Sequence, residues 1–273
     1  MTDKTIIGGT DAGFFSMFRG TVSTIKHVLD HGHEPCINWA NTLYDDPAYG
    51  DNVWEYYFET LAVKSDAVNP FAKSNLQSPC PHVLMPREYN TRVVMSNLID
   101  RYVKLKPHIT SKAYETYEKF KGYNMLGVHI RRTDKNNCTD HGEPVGGKPI
   151  SLDLYDQHMR EYLQNNENSR IFLATDDQEV RDRFVDEYQE LLFMTDSIRS
   201  TGDVSVHHGT SGGGYQKGED VLIDCLLLSE CDHIIKGISN VALCAMFFNI
   251  ELTATNLNSV YNGDTREDFV NAG

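Results

Sequence analysis

The sequence predicts an α/β protein whose C-terminal part is built on a parallel, doubly wound sheet. Three observations predict it. From residue 125 onward, short apolar runs alternate with amphipathic stretches, the pattern of strands feeding crossover helices. Near the N-terminus, an apolar run at residues 5–7 empties into Gly8-Gly9 and then into helical periodicity over 14–29, a strand, glycine-bearing loop and helix in succession. With 273 residues and 40% hydrophobic side chains, the chain can bury one large core or two smaller ones.

In order along the chain, residues 5–7 predict a strand, 14–29 a helix and 35–39 a second strand. Residues 44–53 are turn-rich, and the aromatic stretch 54–63 predicts a helix. Pro70, Pro79, Pro81 and Pro86 make 65–86 an irregular connection. Two helices follow, over 91–103 and 111–120. The second half is more regular: strand 125–130, helix 153–163, strand 170–174, helix 177–188 and strand 191–194. A loop rich in glycine, serine and histidine spans 200–218. Helix 220–229, strand 233–236 and helix 240–248 complete the pattern. The division between halves falls between residues 105 and 122, and is set as 1–110 and 111–273.

A formal net charge of −14 excludes non-specific nucleic-acid binding, which needs a basic footprint. Any phosphate must be held by a few local cations. No run of about 18 apolar residues predicts a membrane span, and the first ten residues lack the basic-then-apolar pattern of a signal peptide. Six cysteines without a CxxC pair or dense spacing point to a reducing, cytoplasmic setting.

The strongest segment is Gly127-Val128-His129-Ile130-Arg131-Arg132-Thr133-Asp134-Lys135. An apolar strand emptying into His, two Arg and a Lys places cations at the carboxyl edge of a parallel sheet, where ligands of such folds bind. Guanidinium groups there suit phosphate oxygens; the other reading is a surface basic patch paired with Asp134. Asp224 lies among Val221, Leu222, Ile223, Leu226, Leu227 and Leu228, so its helix is predicted to be buried. A carboxylate there is either internally satisfied or reads a ligand, since burying an unpaired charge is costly. Ser239 and Asn240 begin a helix, as caps or as an anion site. Asp177 reads as a helix N-cap, and Asp176 precedes it at a strand end. Gly13, with Phe14 and Ser16, is either an ordinary loop glycine or a point of close backbone approach.

The run HIRRTDK at 129–135 resembles the signature of the α1,6-fucosyltransferase superfamily, including the nodulation fucosyltransferases. The segments Phe172-Leu173-Ala174-Thr175-Asp176-Asp177 and 221–241 resemble that superfamily's second and third motifs in order and approximate spacing, and Gly8 to Ser16 resembles its phosphate loop more weakly. The resemblance implies a GT-B-like pair of Rossmann-like lobes, with 1–110 on the acceptor side and 111–273 holding a GDP-sugar. It implies inverting transfer of L-fucose from GDP-fucose to a glycan hydroxyl. Arg131 would contact the donor's β-phosphate, and His129 and Asp224 would read guanine. Gly13, Phe14, Arg132, Asp176, Ser239 and Asn240 would complete the donor site.

A guanidinium on the departing phosphate would do what a divalent ion does in other sugar transferases. The chain has no Asp-x-Asp motif, so neither a metal nor another cofactor is expected. The family's glutamate, four positions after the motif lysine, is replaced by Thr139. The catalytic base is therefore sought at Glu143, or at Asp140, with Lys135 holding it ionised or contacting phosphate. Expected partners are a nucleotide sugar and a glycan acceptor. Two other readings stay open: a transferase using a different GDP-sugar, and a GDP-sugar-binding module without catalysis.

Overall fold

The computed structural model describes residues 4–61, 92–133, 150–202, 204–209 and 212–258, with the backbone of 139–140 and 143–144. In the N-terminal half, β1 (Lys4–Gly8) and β2 (Glu34–Asn38) pair in parallel, joined by helix α1 (Phe14–Asp30). Helix α1 begins at Gly13, an extended residue with no side chain to cap it, and stops before Gly32 at φ +76°, a left-handed position that suits glycine. Its aromatic face, Phe14, Phe15 and Phe18, is fully buried.

The expected helix over 54–63 is only one turn, α2 (Trp54–Tyr57). Phe58 is extended and bridges to Leu105, Glu59 N–H donates to the Lys104 carbonyl, and Lys106 N–H to that of Tyr57. Pairing with a distant strand-like segment overrides the local helical preference here. Helix α3 (Arg92–Tyr102) follows, then α4 (Pro107–Tyr117), which starts four residues earlier than expected because Pro107 occupies its first turn. The expected irregular connection at 65–86 lies outside the described residues.

In the C-terminal half, β3 (Asn124–Ile130) leads into a short antiparallel ribbon, β4 (Thr139–Asp140) with β5 (Glu143–Pro144). Then come α5 (Leu152–Asn165), β6 (Ser169–Thr175), α6 (Gln178–Tyr188) and β7 (Leu192–Phe193). Helix α7 (Gly214–Ser229), β8 (His233–Lys236), α8 (Asn240–Phe248) and β9 (Thr253–Asn256) complete it. The five strands form one sheet in the order β7-β6-β3-β8-β9, all parallel. Side chains cap its helices: Ser151 accepts from Leu154 N–H, Asp177 from Glu179 and Val180 N–H, and Ser239 from Val241 N–H.

One apolar cluster, including Leu126, Ile171 and Phe184, fills the sheet face covered by α5 and α6. A larger one on the other face is continuous with the N-terminal half. Helix α8 makes that continuity: residues 241–247 are all buried, the mark of a helix enclosed on every side, and it packs on α1, α3 and α7. Arg92 on α3 donates to the carbonyls of Met246, Asn249 and Leu252, closing the end of α8 as a cation does. In β3, a Cβ at Gly127 would come within 2.8–3.1 Å of Ile234, Cys231 and Leu228. Its missing side chain lets α7 lie close on the sheet, which fixes the depth of Asp224.

Candidate functional site

The carboxyl edge of the sheet opens onto a cleft of about 610 Å³, walled on one side by the C-terminal half and on the other by the start of α1. His129 and Arg131 reach it from the end of β3, the central strand, and Asp176 from the end of β6. Asp224 comes from α7, and Ser239 and Asn240 from the start of α8. Gly13, Phe14 and Ser16 face them across the cleft. Eight sequence-selected positions from five separate segments thus meet in one place: Gly13, Phe14, His129, Arg131, Asp176, Asp224, Ser239 and Asn240.

Arg132 is placed differently. It does not line the cleft; its Nε lies 3.8 Å from Asp177, while its backbone N–H donates to Asp176 Oδ1 at 3.1 Å. Thr133 Oγ1 donates to the other Asp176 oxygen at 2.5 Å. Asp176 therefore grips the backbone that follows β3 and sets where Arg131 leaves the sheet. Asp177 caps α6 as its sequence position suggests. Lys135 and the side chains of Asp140 and Glu143 lie outside the described residues; the backbone places Asp140 directly opposite Glu143 in the ribbon.

Asp224 is buried, at 7% exposure. Thr195 Oγ1 donates to its Oδ1 at 2.5 Å and Ser197 Oγ to its Oδ2 at 3.3 Å. Burial pushes its carboxyl up to about 6, opposed by the Thr195 hydroxyl and the nearby Arg199 guanidinium. Asp220, one turn earlier, accepts from Ile198 N–H at 2.8 Å and from Gln216; burial raises it as well. Two carboxylates on one helix face are thus held by the single segment that follows β7.

Sequence reasoning missed several cleft residues. Arg19, Tyr44, Ser197, His207, His208, Lys217 and Asp220 all line it. Tyr44 Oη accepts from Phe14 N–H at 2.8 Å, supplying the start of α1 with the cap that Gly13 cannot. Arg19 sits a turn and a half into α1, a spacing that the periodicity of 14–29 already contained. Lys217 is buried and donates to the Gly209 carbonyl, pinning the histidine-bearing loop to α7. That helix begins six residues before the expected Asp220. Gly213 and Gly214 read as loop in sequence but admit the close approach of Tyr44, Asp45 and Asp46. Among the described residues no group of His, Cys, Asp and Glu is positioned to hold a metal ion, and no helix is long and apolar enough to cross a membrane.

The same residues can be compared with known proteins. The sequence model of the family described as Nodulation protein Z (NodZ) matches residues 88–252. The chain is 29% identical over 121 residues to Nodulation protein Z of Azorhizobium caulinodans, covering 44% of this chain and 36% of that protein. With Nodulation protein Z of Sinorhizobium fredii it shares 27% over 137 residues, 49% and 42% of the two chains. The matches thus span less than half the length of these relatives. Among solved structures, the NodZ alpha-1,6-fucosyltransferase co-crystallized with GDP superposes with a TM-score of 0.59 at 18% identity, over 91% of this chain and 93% of that one. POFUT1 in complex with GDP superposes with a TM-score of 0.57 at 11% identity, over 93% and 98%. These likenesses establish a shared GT-B-like α/β fold. Since the family model covers more than half of the sequence and includes the β3, β6 and α7 segments that build the cleft, the chain belongs to the nodulation protein Z family.

Proposed function

We propose that the chain is a glycosyltransferase that moves L-fucose from GDP-fucose to a glycan hydroxyl, with inversion and without a metal ion. The observation that supports this most is the convergence of Arg131, Asp176, Asp224, His129, Ser239 and Asn240 with Gly13 and Phe14 around one cleft. That set contains a fixed cation for a leaving phosphate, a buried carboxylate for a base edge, a helix start for an anion and a side-chain-free backbone opposite. The solved NodZ fucosyltransferase soaked with GDP-fucose has the same fold, which favours fucose as the transferred sugar.

In this reading Asp224 accepts hydrogen bonds from the ring N–H and exocyclic amino group of guanine, a donor pair that adenine and uracil lack, and His129 supports it. The acceptor oxygen attacks the sugar C1 as the bond from C1 to the β-phosphate oxygen breaks. The charge left on GDP is met by Arg131, and Asp176 holds the segment that aims it. The acceptor proton passes to a carboxylate of the ribbon, Glu143 in preference to Asp140, with Lys135 holding the base ionised or contacting phosphate. Residues 1–110 chiefly serve the acceptor, with Gly13 and Phe14 reaching the donor, and 111–273 hold the GDP-sugar. A reducing cytoplasm suits the reading, since Cys36, Cys225, Cys231 and Cys244 are free thiols.

The test is release of GDP from GDP-fucose in the presence of diverse glycan acceptors and EDTA. Wild type should turn over, and Arg131→Ala should lose about a thousandfold while melting as wild type does. Full activity in Arg131→Ala would overturn the assignment. Activity abolished by EDTA and restored by manganese would overturn metal independence. GDP-mannose outperforming GDP-fucose would reassign the sugar, and binding without turnover would make the chain a GDP-sugar-binding module.

A further inference from the structure

Between β7 and the glycine-rich loop, residues 195–200 run as a strap across the top of the sheet. Arg199 organises it. Its two terminal nitrogens donate to the carbonyls of Ser197, at 2.9 Å, and Thr195, at 2.7 Å. The hydroxyls of those two residues hydrogen-bond each other at 2.6 Å; Thr195 Oγ1 donates to Asp224 Oδ1 at 2.5 Å and Ser197 Oγ lies 3.3 Å from Oδ2. The strap is fixed at two further points: Ile198 N–H donates to Asp220, and Ser200 N–H donates to the Asp176 carbonyl at 2.8 Å. One guanidinium thus holds the loop whose side chains hold the cleft's deepest carboxylate, and the far end of that loop ties to the corner that aims Arg131. Arg199 itself does not line the cleft.

We propose that Arg199 is a positioning residue for Asp224. By clamping the 195–197 backbone it sets one hydroxyl against each oxygen of the carboxylate, leaving the remaining lone pair of each as a fixed pair of acceptor sites toward the cleft, and so sets base selectivity. The inference rests on the guanine reading of Asp224. A planar fork reaching two carbonyls at once is something lysine cannot reproduce, and a carboxylate held by other side chains is preorganised before the base arrives.

The charges facing Asp224 are few. Arg199 draws its carboxyl down and Asp220, on the same helix, pushes it up; Asp196 on the strap and Arg181 on α6 act on Arg199 in turn, and His129 lines the same cleft. With burial as the largest influence, the carboxyl is pushed up to about 6. A protonated Asp224 has lost one acceptor for the guanine donor pair, so GDP affinity falls as pH drops through that value. Removing Arg199 or the Thr195 hydroxyl removes a downward influence and moves the midpoint up.

The test is calorimetric titration of the full chain with GDP between pH 5 and 8, for wild type, Asp224→Ala, Arg199→Met and Thr195→Val. The midpoint of affinity loss should rise by about one pH unit in the last two variants, and the GDP-over-ADP preference of Arg199→Met at pH 7 should fall about tenfold. If Arg199→Met does not fold, Thr195→Val decides alone. Variants that weaken binding equally at every pH, with the wild-type midpoint, would make the strap a purely structural brace and overturn the inference while the guanine reading stands. Asp224→Ala binding GDP as well as wild type would instead overturn the guanine reading, and the inference with it.

Discussion

On the C-terminal wall of the cleft, the polar groups are held by other side chains and by backbone before any ligand arrives. Asp224 is gripped by Thr195 and Ser197, Asp176 by Arg132 N–H and Thr133, and Ser239 caps its own helix. The N-terminal wall is built from Gly13, Phe14 and the start of α1, with Arg19 as its cation. Its order comes from aromatic packing: Phe14 meets Phe15, Trp39, Tyr44 and Tyr57 edge-on at 5.2–5.6 Å between ring centres. One wall can discriminate between ligands because its hydrogen-bonding groups are fixed. The other can admit a pyrophosphate because it offers shape, backbone and the cation Arg19, with Asp11 as the anion on the same wall.

Substitutions can sharpen this contrast. The largest effect after loss of Arg131 belongs to the preorganised wall. Burying Asp224 raises its carboxyl to about 6, above its value in the unfolded chain, so the folded state prefers the protonated form. This group therefore weakens the unliganded fold above pH 6, and the penalty fades as pH falls from 6 toward 4. Asp224→Asn should stabilise the unliganded chain at pH 7 by on the order of 2 kcal/mol, with little gain at pH 4, while GDP selectivity is lost. Thermal denaturation at the two pH values checks it, and an unchanged melting point at pH 7 would show that the hydroxyls fully offset the burial.

On the other wall the effects are smaller and fall on binding alone. Gly13 has ordinary extended angles, φ −61° and ψ 150°, and an added Cβ would sit 3.8 Å from His207, a normal contact. Gly13→Ala should thus leave the melting point unchanged while weakening GDP about tenfold, as a methyl occupies the pyrophosphate's approach. Unchanged affinity would make Gly13 an ordinary loop residue. Arg19 is partly buried and not fixed by an ion pair among the described residues. Arg19→Ala should raise the KM for donor about three- to fivefold with kcat unaltered; a loss in kcat instead would place Arg19 at the reacting atoms.

Both walls were legible in their regular elements: the expected 5–7, 14–29 and 35–39 match β1, α1 and β2 to within a residue. Strand–helix alternation located β3, β6, β8 and α8 to within a residue or two because their apolar runs are uninterrupted and their caps, Asp177 and Ser239, are of standard type. β9 was missed because Thr-Ala-Thr-Asn is too polar to read as a strand; it is one only because β8 offers a paired edge. The early start of α7 was hidden by glycines that answer a tertiary contact instead of a turn. Asp224 could be singled out because a carboxylate in an apolar helix needs an explanation. Its partners Thr195, Ser197 and Arg199 carry no local signal at all: their roles come from a loop folding onto a helix some thirty positions away.

The central claim is that the fixed wall reads guanine. The most direct measurement is calorimetric titration of wild type and Asp224→Ala with GDP, ADP and UDP, each in EDTA. The account predicts tight binding of GDP alone to wild type, reduced about a hundredfold in Asp224→Ala, with the weak binding of ADP and UDP the same in both proteins. Equal binding of all three nucleotides to wild type, or GDP binding that survives Asp224→Ala, would contradict it.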